Sequence, residues 1–246
     1  MFSKNIPVGI MQGRLVPKVN GNYQAFPLKN WVKEFEIAAS IGLECIEFIF
    51  DHHNVGSNPL LSEAGINNII EVCDITKIKV KSICADYFMQ HFIHTNNKNK
   101  IIERQNLLIK IIENTAILGV KDIVIPCVDK ATIKNPRCRD QFIENIQLPL
   151  KVAKKKKINL CLETDLDPCM FRNLIDLIDS SFITINYDIG NSAANGYSID
   201  EEFSAYGDKI SDIHIKDRKY KGGPTLLGKG NVDFLKFFLC YKKYKI

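Results

Sequence analysis

At 246 residues, with 46% hydrophobic and 25% charged residues, the chain has the composition of an ordinary globular protein and is long enough to bury a sizeable core. Its net charge of +5 is mild, and much of it sits in KKKK at 154–157 and in the tail YKKYKI, which read as a solvated helix face and a basic end rather than a nucleic-acid surface. No apolar run approaches a membrane span, MFSKNIPVGIMQGRL lacks a signal-like apolar block, and the eight cysteines include no CxxC pair, so the expectation is a cytoplasmic protein with reduced thiols that binds neither membrane nor nucleic acid.

The elements follow one another as short apolar runs and amphipathic stretches. The first strand is expected at VGIMQ (8–12), followed by a helix over NWVKEFEIAASIG that Gly42 ends. CIEFIF (45–50) is the second strand, with a helix over about 61–76 behind it. VKSICA is the third strand, and the long helix NKIIERQNLLIKIIENTAILG stops at Gly119. DIVIP is the fourth, and its helix RDQFIENIQLPLKVAKKKK contains Pro149, which should kink it by removing one hydrogen bond. NLCLE, ITINYD and ISDIHIK complete the set, separated by a short helix after Pro168 and another over 198–206, with VDFLKFFLCYKK as the final helix.

Strand starts near 8, 45, 79, 122, 159, 183 and 210, each followed by a helix, imply a parallel sheet covered on both faces. The expected fold is an α/β (β/α)8 TIM barrel forming a single domain over 1–246, with the eighth strand truncated, because only three residues follow the final helix where a strand needs about five or six. A doubly wound open sheet is the runner-up, disfavoured because no glycine-rich fingerprint follows the first strand.

Glu163, Asp188 and His214 fall at the ends of strands five, six and seven. Neighbouring parallel strands lie a little under ~5 Å apart, so these side chains should converge above the barrel mouth. Taken singly, a strand-end carboxylate is usually a cap or ion-pair partner and a strand histidine a satisfied core residue. Three at matching positions in consecutive units suit a divalent ion such as Mn²⁺, Mg²⁺, Co²⁺ or Zn²⁺.

CLETD, NYDIGN, DIHIKD and LLGKGNVDF, with GLECIEF upstream, resemble the xylose isomerase-like sugar-phosphate isomerase/epimerase barrels, over nearly the whole chain from GIMQGRL to GNVDF. The resemblance implies that Glu163, Asp188 and His214 bind the metal. It further implies proton abstraction next to the carbonyl of a sugar or sugar phosphate through a metal-stabilised enediolate, with Glu163 as the base. The family's fourth ligand is a strand-eight Glu, a position beyond the end of this sequence.

Other residues are expected around the same mouth. Gln12, Arg14 and Glu47 end strands one and two, Asn191 follows Asp188, and Lys216 and Arg218 follow His214; each is a candidate substrate contact, and each also has a bland role as a cap, ion pair or solvated loop residue. Asp86 and His91, after strand three, would line the wall or simply decorate a loop. The glycines 222, 223, 228 and 230 precede a helix start and suit a phosphate loop or a mobile one, with Arg14 a further anion contact.

Two other functions compete. An apurinic-site endonuclease on a related barrel would need many histidines, and of the five here only His214, with His91 second, fits the strand ends. A non-catalytic or degenerate barrel that binds a sugar-like ligand or a partner would follow from the lost strand, whose exposed edges would invite a homo-oligomer to cover them.

Overall fold

The computed structural model describes residues 7–244. Seven parallel strands form one sheet in sequential order: β1 (Gly9–Met11), β2 (Cys45–Ile49), β3 (Lys79–Cys84), β4 (Asp122–Cys127), β5 (Asn159–Thr164), β6 (Ile183–Asp188) and β7 (Ile210–His214). All seven begin within a residue of their expected positions. The helices between them are α1 (Trp31–Ser40), α2 (Glu63–Thr76), α3 (Lys98–Ile117), α4 (Pro136–Lys156), α5 (Pro168–Ile178), α6 (Ile189–Asn195) and α7 (Ile199–Tyr206), and α8 (Phe234–Tyr244) follows β7.

Local chemistry sets the helix ends. Ser62, Asn97, Asn135 and Asp167 each accept a hydrogen bond from a first-turn N–H of α2, α3, α4 and α5, and proline opens α4 and α5, where its missing N–H is no loss. Lys77, Lys157 and Asp179 end their helices in the left-handed conformation, at φ of 64°, 58° and 48°.

The helix-facing sides of the strands and the inward faces of the helices form one apolar core, with Phe35, Phe48, Phe142, Phe203 and Phe237 fully buried. Helix α4 stays continuous through Pro149. The carbonyl one turn back, that of Asn145, loses its helical donor there and instead accepts from Gln105 Nε2 on α3 at 2.8 Å.

Two elements depart from expectation. Helix α6 starts directly after β6, where no helix is expected before 198; Asp188 caps it by accepting from the N–H of Asn191 at 2.8 Å. After β7 the chain forms a small antiparallel pair outside the sheet, β8 (Asp217–Arg218) with β9 (Pro224–Thr225). The buried carboxylate of Asp217 accepts from the N–H groups of Gly230 at 2.7 Å and Val232 at 3.2 Å, fixing the loop before α8. A side chain at 230 would collide with that carboxylate, since a Cβ there would lie 2.0 Å from Asp217 Oδ1.

Among the described residues β1 and β7 do not pair with each other, so the sheet is open between them. The stub expected after the final helix falls on Tyr244, which is the last residue of α8, and on 245–246, which lie outside the described residues.

Candidate metal centre and substrate cavity

The C-terminal ends of the parallel strands surround a cavity of about 920 Å³. It is lined at the mouth by Arg14, Glu47, Glu163, Asp188 and His214. It continues along the sheet to Lys81, Asp122 and Ser211 near the N-terminal ends of β3, β4 and β7, and Phe237, Phe238 and Tyr241 of α8 also line it.

Glu163, Asp188 and His214 converge as the strand-end argument predicts: one ligand atom from each lies within 4.8 Å of the others. Asp188 and His214 are register partners on β6 and β7, while Glu163 is the penultimate residue of β5. His214 Nδ1 faces Glu163 Oε2 at 3.8 Å and Asp188 Oδ2 at 3.9 Å. Its other nitrogen, Nε2, lies 3.0 Å from Glu47 Oε1, and Ser82 donates to Glu47 Oε2 at 2.7 Å.

Asn191 and Asn186 hold Glu163. Asn191 Nδ2 donates to Oε1 at 2.7 Å, and Asn186 Nδ2 lies 3.2 Å from Oε2 and 3.0 Å from His214 Nδ1. The helix α6 positions Asn191, and alternation along β6 puts Asn186 on the same face as Asp188.

The electrostatics follow from crowding carboxylates in a buried place. Burial pushes the Glu163 carboxyl up, and the charge of Asp188 adds to it, to about 7. Burial opposes the charged form of His214, but Glu47, Glu163 and Asp188 outweigh it and raise the imidazolium to about 10. Burial also works against ionised Glu47, and the facing imidazolium outweighs it, so Glu47 titrates below its usual range. Without a metal the cluster therefore keeps a proton on His214 among three carboxylates. Two carboxylates and an imidazole, each with an atom facing the others, make a donor set suited to a divalent cation of the Mn²⁺ or Zn²⁺ kind.

The other expected residues divide. Arg14 lines the cavity with Nη1 unpartnered, and burial lowers its pKa. Lys216 lines it too, with Nζ 2.6 Å from Asp188 Oδ2, its stem lying over Gly190, where a Cβ would come 2.5 Å from Lys216 Cγ. Arg218 is engaged within the protein, donating to Asn191 Oδ1 at 2.7 Å and to the carbonyl of Gly222 at 2.8 Å.

Gln12 is not among the lining residues. Its side chain is buried and accepts from the N–H of Ile49 at 3.2 Å, tying β1 to β2. Asp86 is bonded by Gln24, and burial raises its carboxyl to about 6. His91 stacks on Tyr87 at 4.2 Å and is not among the lining residues.

Sequence reasoning missed Asn186, Ser82 and Glu34. Asn186 had a signal, two residues before Asp188 in a strand otherwise rich in isoleucine. Glu34 had less. It sits on α1, fully buried, and accepts from the N–H groups of Gly13 at 2.8 Å and Leu15 at 2.9 Å, fixing the loop that carries Arg14. Gly13 itself has φ of +91°, and a Cβ there would lie 2.3 Å from the carbonyl oxygen of Tyr23.

A sequentially ordered parallel sheet, wrapped by helices and carrying its polar cluster at the strand C-termini, is the arrangement of the TIM-barrel class. Residues 35–239 match the family model described as xylose isomerase-like TIM barrel, and the chain belongs to that family. A Haemophilus influenzae protein named, provisionally, as the L-ribulose-5-phosphate 3-epimerase SgbU is 26% identical over 91% of this chain and 84% of its own length. A D-allulose 3-epimerase from Methylomonas sp., solved with D-allulose, superposes with a TM-score of 0.74 at 16% identity, covering 97% of this chain and 80% of that one. The IOLI protein, solved with a bound zinc atom, gives 0.75 at 16% identity, over 97% of this chain and 85% of that one. No helix among the described residues is long and apolar enough to cross a membrane.

Proposed function

We propose that the chain is a divalent-metal-dependent isomerase or epimerase of a sugar or sugar phosphate. The observation that carries this reading is the convergence of Glu163, Asp188 and His214 within 4.8 Å at the strand C-termini, at the mouth of a cavity large enough for a sugar. The names of the relative and of the structural neighbours, a sugar-phosphate epimerase and a ketose epimerase, support the substrate class.

Glu163, Asp188 and His214 would hold the ion. Bound there, it supplies Lewis-acid stabilisation of the negative charge that develops on a carbonyl oxygen. Glu163 is the base: held by Asn191 and Asn186, its carboxylate takes the proton from the carbon beside the carbonyl and, in an isomerisation, returns it to the former carbonyl carbon. Arg14, which lines the cavity and has a buried, unpartnered guanidinium nitrogen, and Lys216, which also lines it, bind and orient the hydroxyls or phosphate of the substrate.

The test is solvent exchange. The protein with Mn²⁺ is incubated in D₂O with ketopentose 5-phosphates and with free ketohexoses, and deuterium at the carbon next to the carbonyl is read by NMR. Exchange in the parent and none in Glu163→Gln is the expected result. Absence of exchange with every member of both sets, in protein that binds Mn²⁺, would overturn the catalytic reading.

The second reading, a non-catalytic barrel that binds a sugar-like ligand, draws on the open side of the sheet between β1 and β7. It predicts saturable sugar binding with no proton exchange in the same experiment.

A further inference from the structure

From the geometry around His214 we infer that Glu47 is a positioning residue for the metal centre: it fixes His214 so that Nδ1 is the nitrogen offered to the cation. The inference rests on the metal-site reading above and extends it to a residue on a distant strand.

Three observations carry it. The two nitrogens of His214 face different surroundings. Nδ1 looks into the cluster, 3.8 Å from Glu163 and 3.9 Å from Asp188, and Nε2 looks away from it, 3.0 Å from Glu47 Oε1. Glu47 is itself fixed: it is buried, and Ser82, its register partner on β3, donates to its second oxygen at 2.7 Å. Glu47 is also outside the converging trio, so its carboxylate is committed to the imidazole.

Each observation has a chemical consequence. A carboxylate facing Nε2 requires a proton on that nitrogen, and a metal ligand must present a lone pair. With Nε2–H donated to Glu47, loss of the second proton leaves the lone pair on Nδ1, the side where Glu163 and Asp188 wait and where Asn186 Nδ2 lies at 3.0 Å. The bond also fixes the ring plane, because β7 is an edge strand with no pairing partner on its outer side among the described residues. Glu47 reaches His214 from β2, across the open side of the sheet. The sheet's missing hydrogen bonds there are replaced, at this one point, by a side-chain bond.

The experiment measures Mn²⁺ affinity by the electron paramagnetic resonance of free Mn²⁺, and the His214 tautomer by ¹H–¹⁵N correlation through two bonds in Zn²⁺-loaded protein, assigned with His214→Gln. The full chain is used with Glu47→Gln, Glu47→Ala and Ser82→Ala. The expected result in the parent is metal at Nδ1 and hydrogen at Nε2. Glu47→Ala should lose about 10- to 100-fold in affinity and lose that single tautomer, and Glu47→Gln, whose amide oxygen can still accept from Nε2–H, should recover part of both. Ser82→Ala, a milder change that leaves the core intact, should weaken affinity while Glu47 is present and change nothing further when combined with Glu47→Ala.

Parental protein that binds neither ion overturns the metal-site reading and this inference with it. Parental protein that binds, with affinity and tautomer unchanged in Glu47→Ala, overturns the role of Glu47 alone. A loss much beyond 100-fold, with no recovery in Glu47→Gln, would make Glu47 a ligand and overturn the positioning role.

Discussion

The ammonium of Lys216 lies 2.6 Å from Oδ2 of Asp188, the oxygen that faces His214 and that a bound cation would need. The contact is a charge pair between a buried carboxylate and a lysine that is 41% exposed, so it is worth about 1 kcal/mol or less. A divalent ion bound at that oxygen would have to displace the ammonium.

Replacing the lysine therefore has two opposite effects. Lys216→Met should tighten Mn²⁺ binding by up to about fivefold, the equivalent of ~1 kcal/mol, by removing the competing charge. The same variant should raise KM for a phosphorylated substrate. Titration calorimetry with Mn²⁺ checks the first effect, and unchanged or weaker metal binding would show that Lys216 does not compete.

The pH dependence of the metal-free protein has a definite sign. His214 titrates near 10 in the folded chain against an ordinary 6.5, so its contribution to stability is fully present below about 6.5 and is lost as pH rises toward 10. Glu163, raised to about 7, binds its proton more tightly when folded, so its share falls as pH rises from about 4.5 to 7. Glu47 acts oppositely, losing stability as pH falls below the ordinary glutamate range. Melting temperatures of metal-free protein should decline between pH 6.5 and 10, and His214→Gln should flatten that decline. The increment that Mn²⁺ adds should grow over the same range, because the ion must displace a proton.

Glu34 should matter more for the mouth than its position on a helix suggests. Glu34→Ala leaves the N–H groups of Gly13 and Leu15 without their acceptor in a buried place, at a cost of about 1–3 kcal/mol. Urea denaturation measures that cost. Substrate KM should rise as well, because Arg14 stands between the two unanchored residues.

Pro149 and Gln105 form a testable pair. Gln105→Ala should cost about 1 kcal/mol in the parent, because it strands the Asn145 carbonyl that Pro149 leaves without a helical donor. In a Pro149→Ala background the residue at 149 can donate to that carbonyl itself, and Gln105→Ala should then cost close to nothing. Equal costs in both backgrounds would mean the side-chain bond plays no compensating part.

Much of this architecture was readable from the chain itself, for identifiable reasons. Each strand is a short apolar run with turn or capping residues on both sides, and each long helix carries its own stop, as Gly119 does for α3 at φ of +71°. The trio was readable because a carboxylate or imidazole closing an apolar run has no packing use. Helix α6 was not, since its seven residues include Gly190 and its start depends on the cap from Asp188, a residue also read as a ligand. The end of a strand says which way the chain is going and not which way a side chain turns; Gln12 turns to the β2 backbone. Arg218 lines the cavity as its place after His214 suggests, and its donors are also spent on Asn191 and the carbonyl of Gly222, pairings the sequence does not reveal. Ser82 and Glu47 meet because two neighbouring strands are in register, and register is invisible until the strands are paired.

The cavity's second reach, toward Lys81, Asp122 and Ser211 at the N-terminal ends of β3, β4 and β7, bears on isotope experiments. A sugar plugging the mouth would seal the site from one direction only. Water could still arrive from behind, so hydrogen held on Glu163 would equilibrate with the medium while the substrate stays in place. Label from a deuterated substrate should then be washed out to solvent within a single encounter, and direct carry-over of the original atom to product should be slight. An enzyme closed all round would recycle that atom instead.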